Sequence, residues 1–284
     1  MPELPEVETI ARGVHARLCG DCIVQVWFGS HPEPFKTPPA QQAKGLEGSV
    51  LLAVHRTGKH IVCELGAASS NRERLGKRDD PPTAQWIVHL GMTGRLLVTT
   101  PEASVAPHTH VRLTLGSGRE LRFVDPRRFG RLEFRDLESS AAFGAPGAEP
   151  LTIGQEEFAA LFHGRRLAIK SALLNQSLLA GVGNIYADES LFRAGIRPRR
   201  MAGRLTRAEL ERLRTALRQV LKDAIRLGGS SVSDYVDADG VRGFFQLEHR
   251  VYQRTGLPCL RCGTPIRRIL LGGRGTHYCP RCQA

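Results

Sequence analysis

The chain has 284 residues, 41% of them hydrophobic, enough for two domains or one large one. No apolar run approaches the ~20 residues of a membrane span, and the acidic start lacks the apolar core of a secretory signal. Forty Lys and Arg against 28 Asp and Glu leave +12, which suggests a polyanionic partner, most simply nucleic acid.

The chain opens Met1-Pro2-Glu3-Leu4-Pro5-Glu6. If Met1 is removed, a free secondary amine begins the chain beside carboxylates. A terminal amine titrates near ~8, against ~10.4 for lysine, so far more of it is a free base at neutral pH. Attack of such an amine on a carbonyl-like carbon gives an iminium, an electron sink that drives elimination. The competing reading is a proline that merely opens a helix.

Pro2–Leu18 reads as an amphipathic helix with Val7, Ile10, Ala11, Val14 and Leu18 on one face, ended by Gly20. Strand character follows at Ile23–Phe28, Ser49–His55, Ile61–Leu65, Gln85–Leu90, Arg95–Val98, Val111–Leu115, Glu120–Val124 and Arg131–Arg135. Many short strands with Gly- and Pro-rich turns predict a sandwich or barrel. Between them, the polar and charged Ala67–Thr83 reads as a surface loop. Asp136–Pro150, rich in small residues, reads as a linker, so residues 1–135 form a first domain.

After the linker the period turns helical. Thr152 is placed to cap a helix, with Gln155 and Glu156 in its first turn. Ile185–Ala194 reads as a short helix. Thr206–Leu227 reads as the longest, with Leu210, Leu213, Leu217, Val220, Leu221 and Ala224 as a core stripe ended by Gly228-Gly229. These helices define a domain over 151–250, with a glycine- and serine-rich mobile segment at Gly228–Gly243.

The last segment, 251–284, carries Cys259-x-x-Cys262 and Cys279-x-x-Cys282 with sixteen residues between. Two such knuckles predict one tetrahedral zinc with four thiolate ligands. All four positions are filled, so the ion is structural and supplies folding free energy that so small a segment lacks. The other three of the seven cysteines, Cys19, Cys22 and Cys63, read as ordinary thiols. The whole set argues for a reducing cytosol, not a disulfide framework. Between the knuckles, Gly272-Gly273-Arg274-Gly275 sets a long cation on a tight turn, with Arg267, Arg268 and His277 nearby, which suits contact with a phosphate backbone.

Six motifs in order carry a resemblance across nearly the whole chain. They are the PELPEVET start, Gly58-Lys59, His89-Leu90-Gly91-Met92-Thr93-Gly94, Asp125-Pro126-Arg127-Arg128-Phe129-Gly130, Gly181-Val182-Gly183-Asn184-Ile185-Tyr186, and the four-cysteine tail with Gly273–Tyr278. In these the chain resembles the formamidopyrimidine-DNA glycosylase family, bifunctional enzymes that remove oxidised purines from DNA. The resemblance implies an α+β multidomain fold: an N-terminal helix plus β-sandwich, a helix–two-turn–helix domain and a C-terminal zinc β-hairpin, with DNA lying between the two halves. It implies damaged double-stranded DNA as partner, no membrane, a monomer, and a bacterial cytoplasmic setting at the nucleoid.

The resemblance also implies roles. Pro2 attacks C1′ of the damaged nucleotide, Glu3 assists opening of the sugar ring, and Glu6 positions the terminus. Lys59 matches the proton donor of β-elimination and Arg274 that of δ-elimination, although either also suits electrostatic stabilisation of phosphate. A base inside a duplex must be flipped out to react. Met92, Arg127 and Phe129 match the residues that fill the vacated stack, Phe129 as wedge and Arg127 on the orphaned cytosine. His89, His108, Arg165, Lys170, Asn184, Tyr252 and Arg268 match backbone contacts, together with Arg274. Gly228–Gly243 matches a lid over the everted base. Two other readings remain at this level: a sister glycosylase for oxidised pyrimidines, and a non-enzymatic zinc-containing DNA-binding protein.

Overall fold

The computed structural model describes residues 1–67, 81–232 and 235–284. Most of the charged segment expected as a loop over Ala67–Thr83 lies outside the described residues. The chain forms two compact units. The first is Met1–Pro2, Glu6–Gly144 and Ser230–Gly243; the second is Glu3–Pro5, Ala145–Gly229 and Phe244–Ala284.

The first unit contains most of α1 (Leu4–Leu18), then β1 (Ile23–Phe28), α2 (Pro39–Leu46), β2 (Ser49–Thr57), β3 (His60–Ala67), β4 (Ala84–His89), β5 (Arg95–Thr99), β6 (Thr109–Leu115), β7 (Glu120–Val124) and β8 (Arg131–Asp136). The strands make two antiparallel four-stranded sheets, ordered β2-β3-β4-β8 and β1-β6-β7-β5. Val111, Leu113 and Leu115 alternate with partly exposed Arg112 and Thr114. One apolar cluster joins Val7, Ile10, Val14 and Leu18 of α1 to Ile61, Trp86 and Val88 of one sheet and Leu113, Leu121 and Phe123 of the other. Each such side chain, fully buried, contributes about 1.5–3 kcal/mol, so the helix is riveted to both layers of the sandwich.

Two expectations shift here. The helix α1 starts at Leu4 rather than Pro2. The helix α2 leaves no hydrophobic period in the sequence, because its buried residues are only Gln42 and Leu46. Its inward anchor is a glutamine, which donates to the Thr37 carbonyl at 2.7 Å and accepts from Trp86 Nε1 at 3.0 Å. A hydrophobic-periodicity reading does not see a polar residue in a core position.

The second unit contains α3 (Gln155–Ala160), α4 (Ile169–Leu173), α5 (Asn184–Ala194) and α6 (Arg207–Arg226), then the hairpin β9 (Arg267–Leu271) and β10 (Arg274–Tyr278). In α6 the capping box is complete: Glu209 N–H donates to Thr206 Oγ1, and Thr206 N–H donates to the Glu209 carboxylate. The anticipated stripe from Leu210 to Ala224 is buried throughout. The Thr152 cap is corrected: Gly154 is the N-cap of α3 and offers no side-chain bond. Thr152 instead sits in a turn whose N–H donates to the Glu149 carbonyl. The one-turn helix α4 leaves no hydrophobic period either, because Lys170 stands among its buried residues.

The zinc segment has a small apolar cluster of its own. Val251, Cys259, Ile266 and Cys279 gather around Phe192, which α5 supplies. The segment Gly228–Gly243, read from sequence as a mobile extension of the helical part, divides between the units. Its described residues from Ser230 onward belong to the first unit, where Tyr235 and Ala238 are buried in the sandwich core.

Candidate active site and zinc centre

In the first unit, Pro2 is buried and Met1 is half exposed. The Glu6 carboxylate, also buried, accepts the backbone N–H of Ser230 at 2.7 Å, and the Glu6 carbonyl accepts the Tyr235 hydroxyl at 3.4 Å. Glu6 thereby ties the first turn of α1 to the segment expected as a lid. Lys59 occupies the two-residue turn between β2 and β3, after Gly58 at φ 60°. A glycine at the first central position is what a II′ hairpin requires.

His89 ends β4 beside this turn. Burial, then the positive charge of Lys59, Lys36 and Arg131, hold its imidazole below the ordinary histidine range. Its Nδ1 accepts the Gly91 N–H at 3.2 Å, which leaves the proton on Nε2. His89 is thus a neutral N–H donor at pH 7, suited to a phosphate oxygen.

Two turns hold the three anticipated stack-filling residues. Met92 is 42% exposed and Phe129 is 49% exposed, and the Arg127 guanidinium lies 4.9 Å from the Phe129 ring centroid. Sequence alone would favour burial for both apolar side chains; the structure puts them at the surface. Buried Asp125 fixes the turns. Its carboxylate accepts Thr93 Oγ1 at 2.6 Å, Gly130 N–H at 2.7 Å and Arg127 N–H at 3.3 Å. Gly91, at φ 63°, abuts the Phe129 backbone so closely that a Cβ there would stand 2.5 Å from the Phe129 carbonyl carbon. His108 is exposed at φ 64°, and its carbonyl accepts Asp125 N–H at 3.0 Å.

In the second unit, the buried Glu3 carboxylate accepts the Ile185 N–H at 3.2 Å, at the N-terminus of α5. The free amides and the helix dipole favour an anionic group there. Leu4 N–H donates to the Gly181 carbonyl at 3.0 Å. Gly183 makes room: a Cβ at that position would stand 2.2 Å from the Glu3 carboxyl carbon. The glycines of the Gly181–Tyr186 motif therefore admit the chain's own Glu3.

Lys170, matched by resemblance to a backbone contact, is 1% exposed, and its side chain faces the protein interior. Its ammonium pairs with Asp188 at 2.7 Å and donates to Thr276 Oγ1 at 2.8 Å and the Gly275 carbonyl at 3.0 Å. Burial outweighs the attraction of Asp188 and Glu3 and lowers its pKa. Asn184 donates to the same Gly275 carbonyl at 3.0 Å. Asp188 also accepts the His277 N–H at 2.8 Å. Together these bonds fasten α4 and α5 to β10 beside Arg274. Arg274 itself is exposed beyond Gly272 and Gly273, at φ 56° and 72°.

Tyr252 is half-buried; its hydroxyl is hydrogen-bonded to the Asn184 side chain, and burial pushes its phenol up. The Arg250, Val251 and Tyr252 N–H groups all converge on the Glu189 carboxylate at 2.9–3.0 Å. Arg268 is exposed on β9, opposite His277, and Arg165 is exposed before α4. Sequence reasoning missed Asp125, Asp188 and Glu189. The available signal was a pair of acids, Asp188-Glu189, on the apolar side of a short helix.

The four cysteine sulfurs lie within 4.8 Å of one another, with Cys259–Cys282 at 3.9 Å and Cys262–Cys279 at 3.5 Å. Tetrahedral zinc with Zn–S bonds of about 2.3 Å spaces its thiolates about 3.8 Å apart, so the cage fits the ion. The Arg261 and Cys282 N–H groups each donate to a cage sulfur at 3.4 Å, the outer bonds that orient such ligands. The four cysteines hold one structural zinc. Among the described residues no other group of metal-ligating side chains forms such a cluster.

Three family models cover most of the chain. The formamidopyrimidine-DNA glycosylase N-terminal domain matches residues 1–132, the H2TH domain of the same enzymes 146–236, and a zinc finger found in FPG and IleRS 256–284. A formamidopyrimidine-DNA glycosylase of Solibacter usitatus is 44% identical over 100% of this chain and 99% of its own, and one of Thioalkalivibrio sulfidiphilus is 43% identical over the whole of both. Lactococcus lactis Fpg, solved with abasic-site DNA, superposes with a TM-score of 0.85 at 33% identity, covering 99% of both chains. The Thermus thermophilus MutM (Fpg) protein gives 0.82 at 40% identity over 99% of this chain and 98% of its own. With its strands, helices and thiolate cage in the same order, the chain belongs to the formamidopyrimidine-DNA glycosylase family.

Proposed function

We infer that this chain is a base-excision-repair DNA glycosylase and AP lyase that removes oxidised purines, 8-oxoguanine and formamidopyrimidines, from damaged duplex DNA. With Met1 removed, the Pro2 nitrogen attacks C1′ and the bond from C1′ to the base breaks. Glu3 assists opening of the sugar ring, and the electron pair of Pro2 completes an iminium at C1′. Loss of the C2′ proton expels the 3′ phosphate, and a second elimination expels the 5′ phosphate. Lys59 and Arg274 serve the two eliminations, as proton donors or by stabilising phosphate charge, and Glu6 holds the α1 terminus.

The observation that carries this reading is the fixed Glu3 carboxylate. Glu3 is bonded directly to Pro2, and its side chain is held at the α5 N-terminus by a hydrogen bond and by a glycine-cleared space. That arrangement holds an acid next to the nucleophile, which a mere helix-opening proline does not require. Exposed Met92, Arg127 and Phe129 support base eversion, since they are available to enter a vacated stack. Asp125 preorganises their turns, His89 supplies a neutral donor for phosphate, and Asn184 braces the Gly275 carbonyl and the Tyr252 hydroxyl beside it. Lys170 contributes from beneath, by holding the Gly275 carbonyl next to Arg274. The zinc hairpin carries Arg274 and Arg268. No helix among the described residues is long and apolar enough to cross a membrane. DNA as substrate supports a bacterial cytoplasmic setting at the nucleoid.

The test is borohydride trapping on a duplex containing 8-oxoguanine, with mass spectrometry of the protein. The expected result is a chain lacking Met1, covalently joined to DNA through Pro2, and no adduct with Pro2→Gly. An adduct formed at full rate by protein that retains Met1 defeats the assignment. Faster processing of thymine glycol than of 8-oxoguanine defeats the purine specificity alone.

A further inference from the structure

Residues 193–207 contain six arginines and no acid. Three have carboxylate partners: Arg193 with Asp223, Arg200 with Glu209 and Arg207 with Glu156. Arg197 donates to the Pro280 carbonyl. Arg199 and Arg204 have no carboxylate within ion-pair distance among the described residues, and neither do Arg165 and Arg166 in the segment before α4.

Tertiary pairing gathers three of these four. Gly203 N–H donates to the Arg165 carbonyl at 3.0 Å, Ala202 N–H to Leu167 at 2.8 Å, and Ile169 N–H to Arg200 at 2.7 Å. The approach needs a glycine: a Cβ on Gly203 would stand 2.8 Å from the Arg165 nitrogen. The result is a cleft of about 410 Å³ lined by Gly164, Arg165, Arg166, Met201, Gly203 and Arg204. All three guanidiniums are exposed, and Met201, 44% exposed, gives the rim an apolar edge.

Guanidinium forks match phosphate oxygens; Arg165 spends one N–H on the Leu161 carbonyl at 2.6 Å, but none of the three cations has a carboxylate among the described residues to give up, so each can release the counterions of DNA at little cost. The cleft offers no aromatic platform and no carboxylate or amide to read a base edge, so it positions without specifying sequence. The same paired segments continue to Lys170, which holds the carbonyl beside Arg274. We propose that the Arg165–Arg166–Arg204 cleft is a second phosphate-binding site that grips the backbone of duplex DNA flanking the lesion. Motif resemblance implies Arg165 alone; the cleft adds Arg166 and Arg204. The proposal rests on DNA being the substrate.

The test measures binding of lesion-free duplex DNA across a salt series. It compares the intact zinc-loaded protein with Arg166→Gln/Arg204→Gln and, at equal charge loss, with Arg212→Gln/Arg218→Gln on α6. Loss of the cleft should weaken binding and flatten the slope of log affinity against log salt by about 1–2, while the α6 variant keeps the original slope. Equal slopes for all three proteins, or equal flattening by both variants, overturn the proposal. Inorganic pyrophosphate is a second probe: if it binds the intact protein but not the cleft variant while the DNA slopes coincide, the cleft serves a small phosphate compound and the proposal is wrong. Absence of any duplex binding by the intact protein would defeat the broader reading of function instead.

Discussion

The two units fix their functional side chains by opposite means. In the first unit Met92, Arg127 and Phe129 stand exposed on turns, and one buried carboxylate, Asp125, holds both turns through backbone and hydroxyl donors. In the second unit Glu3, Lys170 and Asp188 are themselves buried, and an ion pair, a helix N-terminus and a thiolate cage hold them in place. The first arrangement spends few charges and leaves its apolar tips unsatisfied in water. The second buries several charges and depends on each keeping its partner. Groups proposed to enter a base stack need freedom from the protein; groups that hold an acid or a hairpin need none.

This contrast predicts graded consequences. Removing zinc, by chelation or by Cys262→Ser, should be the most severe change. Structural zinc binding is worth roughly 10–16 kcal/mol in small fingers, and the hairpin with Arg274 should unfold. Metal content and loss of strand cleavage measure it, and cleavage that survives complete zinc loss would break the contrast. Next comes Asp188→Ala, which strands the buried Lys170 charge and should cost about 3–5 kcal/mol in denaturant unfolding.

The two close-packed glycines should cost less. Gly183→Ala drives a methyl into Glu3, and Gly91→Ala combines positive φ with a collision at the Phe129 backbone. Strain of this kind costs about 1–3 kcal/mol. The comparison sharpens in the kinetics. Gly183→Ala should slow the trapping of the iminium, whereas Gly91→Ala should weaken binding of lesion duplex more than it slows chemistry once bound.

Acid should weaken the first unit through His60. Burial, then His89 and Lys36, push its pKa down to about 4, opposed weakly by Glu133. The unfolded chain binds a proton near pH 6.5 that the folded chain refuses until about 4. This contribution to stability is therefore complete above pH 6.5 and declines as pH falls toward 4, by about 1–2 kcal/mol given partial solvent screening. His60→Gln should flatten that acid limb in a thermal-denaturation series.

The smallest effect on stability belongs to Phe129→Ala. A half-exposed ring should change unfolding by less than about 0.5 kcal/mol, yet its loss should weaken selective binding of lesion over intact duplex. A large loss of stability would mean that the ring is core after all, and the distinction between the two units would fall.

Several features were legible because they rest on local rules. The alternation of Val111, Leu113 and Leu115, the apolar stripe of α6, and the paired Cys-x-x-Cys knuckles each require only neighbours in sequence. The α2 helix was illegible because Gln42 occupies its core position, and the Thr152 cap failed because Gly154, two residues on, begins the helix with no side chain to announce it. Lys170 matched a backbone-contact motif, but whether a lysine faces solvent or Asp188 depends on an acid eighteen residues away.

By itself, then, the sequence determined the order of strands, helices and metal ligands, and the chemical types at the front of the chain, because periodicity, capping and ligand spacing act over a few residues. Tertiary structure alone decided that Glu3 meets the N-terminus of α5 and that Asp125 governs two separate turns. It alone buried Lys170 and gathered Arg165, Arg166 and Arg204 around one cleft. Those choices are settled by which distant donors and charges each group can reach once water is excluded, and no local pattern encodes that partner.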